Sequence, residues 1–178
     1  MTTLIVIDMQ NDFITGPLGT PEAVKILPRV REKIAQYQRL EEPIVFTRDT
    51  HYTDYLRTLE GKRLPVKHCI FGTHGLEVES SIAIPPHDAV VYIDKEKFGW
   101  DHWYKHWHTA GANMIELVGV CTDICVVSNA LILKAQFPNT EIYVDASCCA
   151  GTTPEMHKAA LQVMKSCHIN VINEEVDS

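Results

Sequence analysis

Residues 4–10 read Leu4-Ile5-Val6-Ile7-Asp8-Met9-Gln10, four apolar residues in a row that stop at a carboxylate. A strand with one wet face alternates apolar and polar residues, whereas an unbroken run of this length calls for cover on both faces. Similar runs recur at Ile44–Thr47, Val90–Ile93, Met114–Val118, Ile142–Val144 and Asn170–Ile172. Helical stretches lie between them. Leu27, Val30, Ile34 and Tyr37 share one helical face after Thr20-Pro21, a cap followed by a first-turn proline, and Pro28 is expected to divide that stretch. Ile124–Ala135 is apolar almost all round and reads as a helix buried between layers. Thr153-Pro154 opens another, with Met156, Ala160, Val163 and Cys167 facing inward. This rhythm predicts a three-layer, doubly wound α/β fold: a mainly parallel six-stranded sheet with helices on both faces, in a single domain over residues 1–178.

Composition narrows the function. The chain has 178 residues, 46% apolar and 22% charged, an ordinary globular mixture. A net charge of −7 without a basic stripe argues against nucleic acid as a partner. The longest apolar runs are strand-sized, so no membrane span is expected. The start MTTLIVIDMQ lacks a basic leader region, which predicts a cytoplasmic protein. Six cysteines (69, 121, 125, 148, 149 and 167) therefore read as reduced thiols, mostly small buried hydrophobes, at least one of them reactive. The acidic end Glu174-Glu175-Val176-Asp177 reads as a solvated tail.

In doubly wound sheets, ligands sit beyond the carboxyl ends of the strands, near a switch in strand order. Asp8, Asp49, Asp94-Lys95 and Cys121–Cys125 all follow strand runs directly. The long polar segment Thr50–Glu77 also starts at such an end, and loops this long are usually functional. In Gly119-Val120-Cys121-Thr122-Asp123-Ile124-Cys125, a strand turns into a helix with Cys125 in the first turn. Free N–H groups and the positive helix end would favour thiolate over thiol and could hold an oxyanion. Taken alone, the stretch fits a buried cysteine opening a core helix slightly better. Asp8, desolvated behind four apolar residues, suits a proton carrier, although a turn aspartate has the same local pattern. Lys95 could supply positive charge between the two, or be an ordinary surface lysine. Asp49-Thr50-His51 puts two ligands on one side of an extended segment, and His68 can close the set, with Glu60 as a fourth. Such donors suit zinc, iron or manganese. Trp100, Trp103 and Trp107 form a helical stripe better suited to packing or self-association into a homo-oligomer than to chemistry.

Together these motifs resemble the isochorismatase-like superfamily of cysteine hydrolases, within it the nicotinamidase/pyrazinamidase branch. The resemblance rests on Val6–Phe13, Asp49-Thr50-His51, Pro65–Thr73, Lys95–Gly99 and Gly119–Val126, in that order, and covers nearly the whole chain. It implies a catalytic set of Asp8, Lys95 and Cys125, so that Cys125 becomes a nucleophile rather than a packing cysteine. It further implies a cis peptide between Val120 and Cys121 that directs the Cys121 and Cys125 N–H groups at one point. A divalent metal, zinc foremost, would be held by Asp49, His51, His68 and Glu60, and Phe13 and Phe98 would line a ring pocket. The implied reaction releases ammonia from a small aromatic amide such as nicotinamide, through a thioester. Rival readings are a metal-independent amidase acting on a ureido or carbamoyl group, and a catalytically silent binding module. Leu64, where many relatives carry tryptophan, and Trp100, where they carry a small residue, would reshape the pocket.

Overall fold

A computed structural model describes residues 1–174, the Trp107 side chain excepted; the expected acidic tail lies, beyond Glu174, outside the described residues. Six strands build one sheet: β1 (Thr2–Ile7), β2 (Ile44–Asp49), β3 (Val90–Lys95), β4 (Met114–Val120), β5 (Glu141–Ala150) and β6 (Asn170–Ile172). Their order is β3-β2-β1-β4-β5-β6, and every pairing is parallel. The sheet is thus wholly parallel, where a mainly parallel one was expected. The helices are α1 (Asn11–Ile14), α2 (Pro21–Arg39), α3 (Leu59–Arg63), α4 (Trp107–Ala110), α5 (Val127–Gln136) and α6 (Pro154–Ser166).

The unbroken apolar runs are explained by two cores. Side chains alternate across a strand, so Leu4 and Val6 join Phe46, Val118 and the inner face of α2. Ile5 and Ile7 point the other way, to Val45, Leu117, Trp103 and the inner faces of α5 and α6. All four β1 side chains are fully buried, each contributing about 1.5–3 kcal/mol before entropy is counted.

The helices depart from expectation in three places. Pro28 does not divide α2, which runs unbroken through it. Pro28 and Val24, whose carbonyl loses its helical partner, both lie on the exposed face, where water can replace the missing bond. On α6 the buried residues are Ala160, Leu161 and Met164, whereas Met156, Val163 and Cys167 are exposed. The helix is rotated from the face that the apolar positions suggested, because packing against the neighbouring helix and strands selects the stripe. Helix α5 is enclosed on one side only: Ala130 and Leu133 are buried, Leu131 and Ile132 half-buried, and Ala135 exposed.

No continuous helix carries the three tryptophans. Trp103 opens a single 3₁₀ turn (Trp103–Lys105), and Trp107 begins the separate α4. Trp103 is fully buried and Trp100 half-buried, edge to face at 4.8 Å, which is a packing role. The segment 50–77 holds short helical turns rather than regular structure throughout. Among the described residues, no helix is long and apolar enough to cross a membrane.

The order in which successive strands are added to the sheet reverses between β1 and β4. The crevice beyond their carboxyl ends is where this architecture receives ligands. Asp8 directly follows one of those strands, and the turn bearing Cys125 follows the other.

Candidate active site and metal centre

Three expected catalytic residues come together at this switch point. Lys95, on the last residue of β3, reaches inward and is almost fully buried, not a surface lysine. Its Nζ lies 2.6 Å from Asp8 Oδ2 and donates to Cys125 Sγ at 3.6 Å. Thr47, facing from β2, donates to Asp8 Oδ1 at 2.6 Å, and its hydroxyl accepts from the Asp8 N–H at 3.2 Å. Asp8 itself has a left-handed backbone (φ 49), a conformation uncommon outside glycine and frequent at functional sites.

Cys125 sits in a π-helical turn (Thr122–Val126) that opens the α5 segment, with the Val126 N–H reaching back to Cys121 O at 3.1 Å. The Val120–Cys121 peptide is cis, as the motif implied. Gly119 makes this junction possible. Its φ is 121, and an added Cβ would run into the Ile7 carbonyl oxygen on β1.

The charges in this cluster are interdependent. Burial pushes the Asp8 carboxyl up, with Asp49 adding to the shift and Lys95 opposing it. Burial works against the Lys95 charge, but Asp8, Cys125 and Asp49 hold the ammonium above the ordinary lysine value. The Cys125 thiol is driven well up, first by burial, then by Asp8, against the pull of Lys95. The thiolate that the helix start would favour is thus opposed by burial and by Asp8. A sulfur anion here would sit in low dielectric beside a second anion, so burial and Asp8 both favour the thiol over the thiolate.

A second cluster adjoins the first through Asp49, whose Oδ1 is 3.8 Å from Lys95 Nζ. Asp49, His51, Glu60 and His68 each turn one donor atom to a common centre, all within 4.8 Å of one another. His51 Nε2 is buried, lies 2.9 Å from Asp49 Oδ2, and yet makes no hydrogen bond. His68 Nδ1 donates to the Val66 carbonyl at 2.8 Å, which leaves Nε2 as the ring atom turned to the centre. Bare nitrogen and carboxylate atoms facing one another out of water fit a cation between them, and the donor set is that of a divalent metal site. Burial would raise the Asp49 pKa, but His51, His68 and Lys95 hold it below the usual carboxylate range. Glu60 is pushed up by burial and by Asp49. Its side chain is 24% exposed and marks the open side.

The two expected ring-lining residues separate. Phe13 packs on His68 at 5.5 Å between ring centroids, whereas Phe98 is 47% exposed and its carbonyl is the part engaged. Leu64 is partly exposed, and its carbonyl accepts from the Tyr55 hydroxyl at 2.9 Å.

Residue-by-residue reading missed three supports. Gln10 Nε2 donates to Asp49 O and Leu76 O at 2.8 Å each, and its Oε1 accepts from the Asp49 N–H at 2.7 Å. Asp12 accepts from the Cys69 N–H at 2.8 Å, next to His68. Asn129 bonds the Cys125 carbonyl at 2.8 Å. Gln10 and Asp12 lay inside the opening motif. Asn129 was detectable as an amide in an otherwise apolar helical run.

Nicotinamidase from Saccharomyces cerevisiae is 25% identical over 98% of this chain and its own full length. Pyrazinamidase of Pyrococcus horikoshii, solved in complex with zinc, is 29% identical with a TM-score of 0.80, over 97% of this chain and 99% of that one. N-carbamoylsarcosine amidase from Thermoplasma acidophilum is 27% identical with a TM-score of 0.75, over 99% of both chains. A family model, the Isochorismatase domain, matches residues 2–176. The fold, the strand-end site and that match agree: the chain belongs to the isochorismatase family.

Proposed function

We propose that the chain is a cysteine amidohydrolase that releases ammonia from a small aromatic amide of the nicotinamide kind, by way of a thioester. The observation that carries this reading is the buried contact of Asp8, Lys95 and Cys125, with the metal-type donor cluster beside it. Relatives bearing nicotinamidase and pyrazinamidase activity support it.

In this mechanism Asp8, its basicity raised by burial, takes the Cys125 proton as sulfur attacks the amide carbon. Lys95 stays cationic throughout and balances the charge passed between sulfur and carboxyl. The Cys121 and Cys125 N–H groups receive the tetrahedral oxygen, an interaction worth about 2.7–4 kcal/mol per donor in comparable sites. Protonated Asp8 then gives its proton to the departing nitrogen, since an amide anion could not leave unaided. Asp8, now a carboxylate again, takes a proton from water as it adds to the thioester; the C–S bond breaks, the acid product leaves and Asp8 returns the proton to the Cys125 sulfur. Asp49, His51, His68 and Glu60 would hold a divalent ion, zinc by donor type, which supplies a Lewis-acid anchor for the ring nitrogen. Phe13, beside His68, is placed to pack on that ring.

The test is ammonia release from nicotinamide, pyrazinamide and non-aromatic carbamoyl compounds, with and without chelator. Turnover of the aromatic amides that chelator suppresses is the expected result. Carbamoyl turnover indifferent to chelator would replace this reading with a metal-independent amidase.

A further inference from the structure

Asn129 lies in α5, one turn beyond Cys125, and is fully buried. A side-chain amide can donate two hydrogen bonds and accept two. Here all four are made. Nδ2 donates to Cys125 O at 2.8 Å and to Phe98 O at 3.1 Å. Oδ1 accepts from the Trp100 N–H at 2.9 Å and from Trp103 Nε1–H at 3.1 Å. Three of the partners belong to one segment, 98–103, which leaves the sheet just after Lys95.

That segment has almost no regular structure to hold it until the single turn at Trp103–Lys105. It is fastened to α5 instead. Gly99 presses on the same helix, where an added Cβ would meet Ile132 Cδ1 and lie 3.3 Å from Ser128 Cβ. An apolar residue would suit position 129, between Ala130 and Ser128 and facing an apolar core, because a buried amide costs free energy unless its bonds are all made. The convergence of four bonds explains why an amide stands there.

We propose that Asn129 is a positioning residue that holds residues 98–103 as a wall against the turn of Cys125, and so sets how large an amide reaches the sulfur. This rests on the reading of Cys125 as nucleophile. Asn129 touches no reacting atom; it acts through Phe98 and Trp100.

Two variants separate this role from one in the turn of the nucleophile. Asn129→Ser can still bond the carbonyl one helical turn back, that of Cys125, but is too short to reach the segment. Asn129→Ala makes neither contact. Both should raise KM for an aromatic amide about tenfold while kcat changes less than about threefold. Both should also raise the rate of Cys125 alkylation by N-phenylmaleimide relative to iodoacetamide at least about threefold, read on the Cys125 peptide by mass spectrometry. The alkylation ratio needs no turnover. Wild-type protein that releases no ammonia would thus sink the functional reading, while the wall is still tested. An unchanged ratio in folded Asn129→Ser overturns the proposal. So does kcat lost in Asn129→Ala but kept in Asn129→Ser at constant KM, which would assign Asn129 to the nucleophile's turn. If Asn129→Ala fails to fold, Asn129→Ser alone decides the matter.

Discussion

Replacing Gly119 by alanine probes whether the spacing of β1 and β4 sets the approach of Asp8 to Cys125. Gly119 pairs with Ile7, the residue before Asp8, and stands two residues ahead of Cys121. Its added Cβ would lie 2.1 Å from Ile7 O, where ordinary contact begins at 3.4 Å, so the strands must part by about 1.3 Å to restore it. The backbone adds its own cost, since a φ of 121 suits glycine alone; strain of this kind is worth about 1–3 kcal/mol. With the lost strand packing, a destabilisation of about 3 kcal/mol is expected. A displacement approaching 1 Å between reacting groups should lower kcat by about 10- to 100-fold. Urea unfolding followed by circular dichroism gives the first quantity, and ammonia release from the folded fraction gives the second. A variant with an unchanged unfolding midpoint and kcat within about twofold of wild type would refute the idea that this strand contact governs the geometry.

Cys125→Ala should abolish turnover yet keep the fold and the metal content; substantial residual hydrolysis would exclude a thioester route. His68→Ala should lower the bound metal measured by elemental analysis and raise KM, and full metal stoichiometry would remove His68 from the ligand set. Because Asp8 must be ionised to accept the thiol proton and burial raises its pKa, kcat/KM should climb with pH along a limb centred above 3.8. Lys95, held above 10.5, should cause no loss on the alkaline side below that pH, and an acid limb at the ordinary aspartate value would contradict the burial argument. Lys33→Met would strip the cation from Glu116 (2.6 Å) and Asp145 (2.9 Å), costing about 3–5 kcal/mol at neutral pH. Burial opposes the Asp145 charge, but Lys33, Ser147 and Asn173 hold its pKa below 3.8. The pair's contribution is therefore present at neutral pH and fades as pH falls through that lowered value. Equal loss at pH 7 and pH 3 in chemical unfolding would argue against the ion pair as the cause.

The layered fold was legible because it is written in a local quantity. Runs such as Leu4–Ile7 can be satisfied only with cover on both faces, and the structure supplies two cores from alternate side chains of each strand. The chemically active residues were legible for a related reason: each stands at the carboxyl end of such a run, where the chain leaves the sheet. Asp49-Thr50-His51 and His68 needed no more than their motif to be nominated, and the four donors do converge.

Neighbourhood was not legible, since it depends on pairing between residues far apart in the chain. No local pattern places β4 beside β1 rather than beside β3, and that adjacency brings Cys125 to Asp8. The local pattern left Lys95 open between a surface lysine and a charge partner, and only the packing of β3 and its neighbours buries it against two carboxylates. The α6 stripe was misread because apolar side chains occur on more of that helix than its neighbours can cover. The protonation of Cys125 followed the same logic. Its position at a helix start favours an anion, but desolvation by surrounding layers and the charge of Asp8 push its thiol up. Gln10 and Asn129 emerged last because a buried amide is explained by its partners, and theirs lie up to 66 and 31 residues away in the chain.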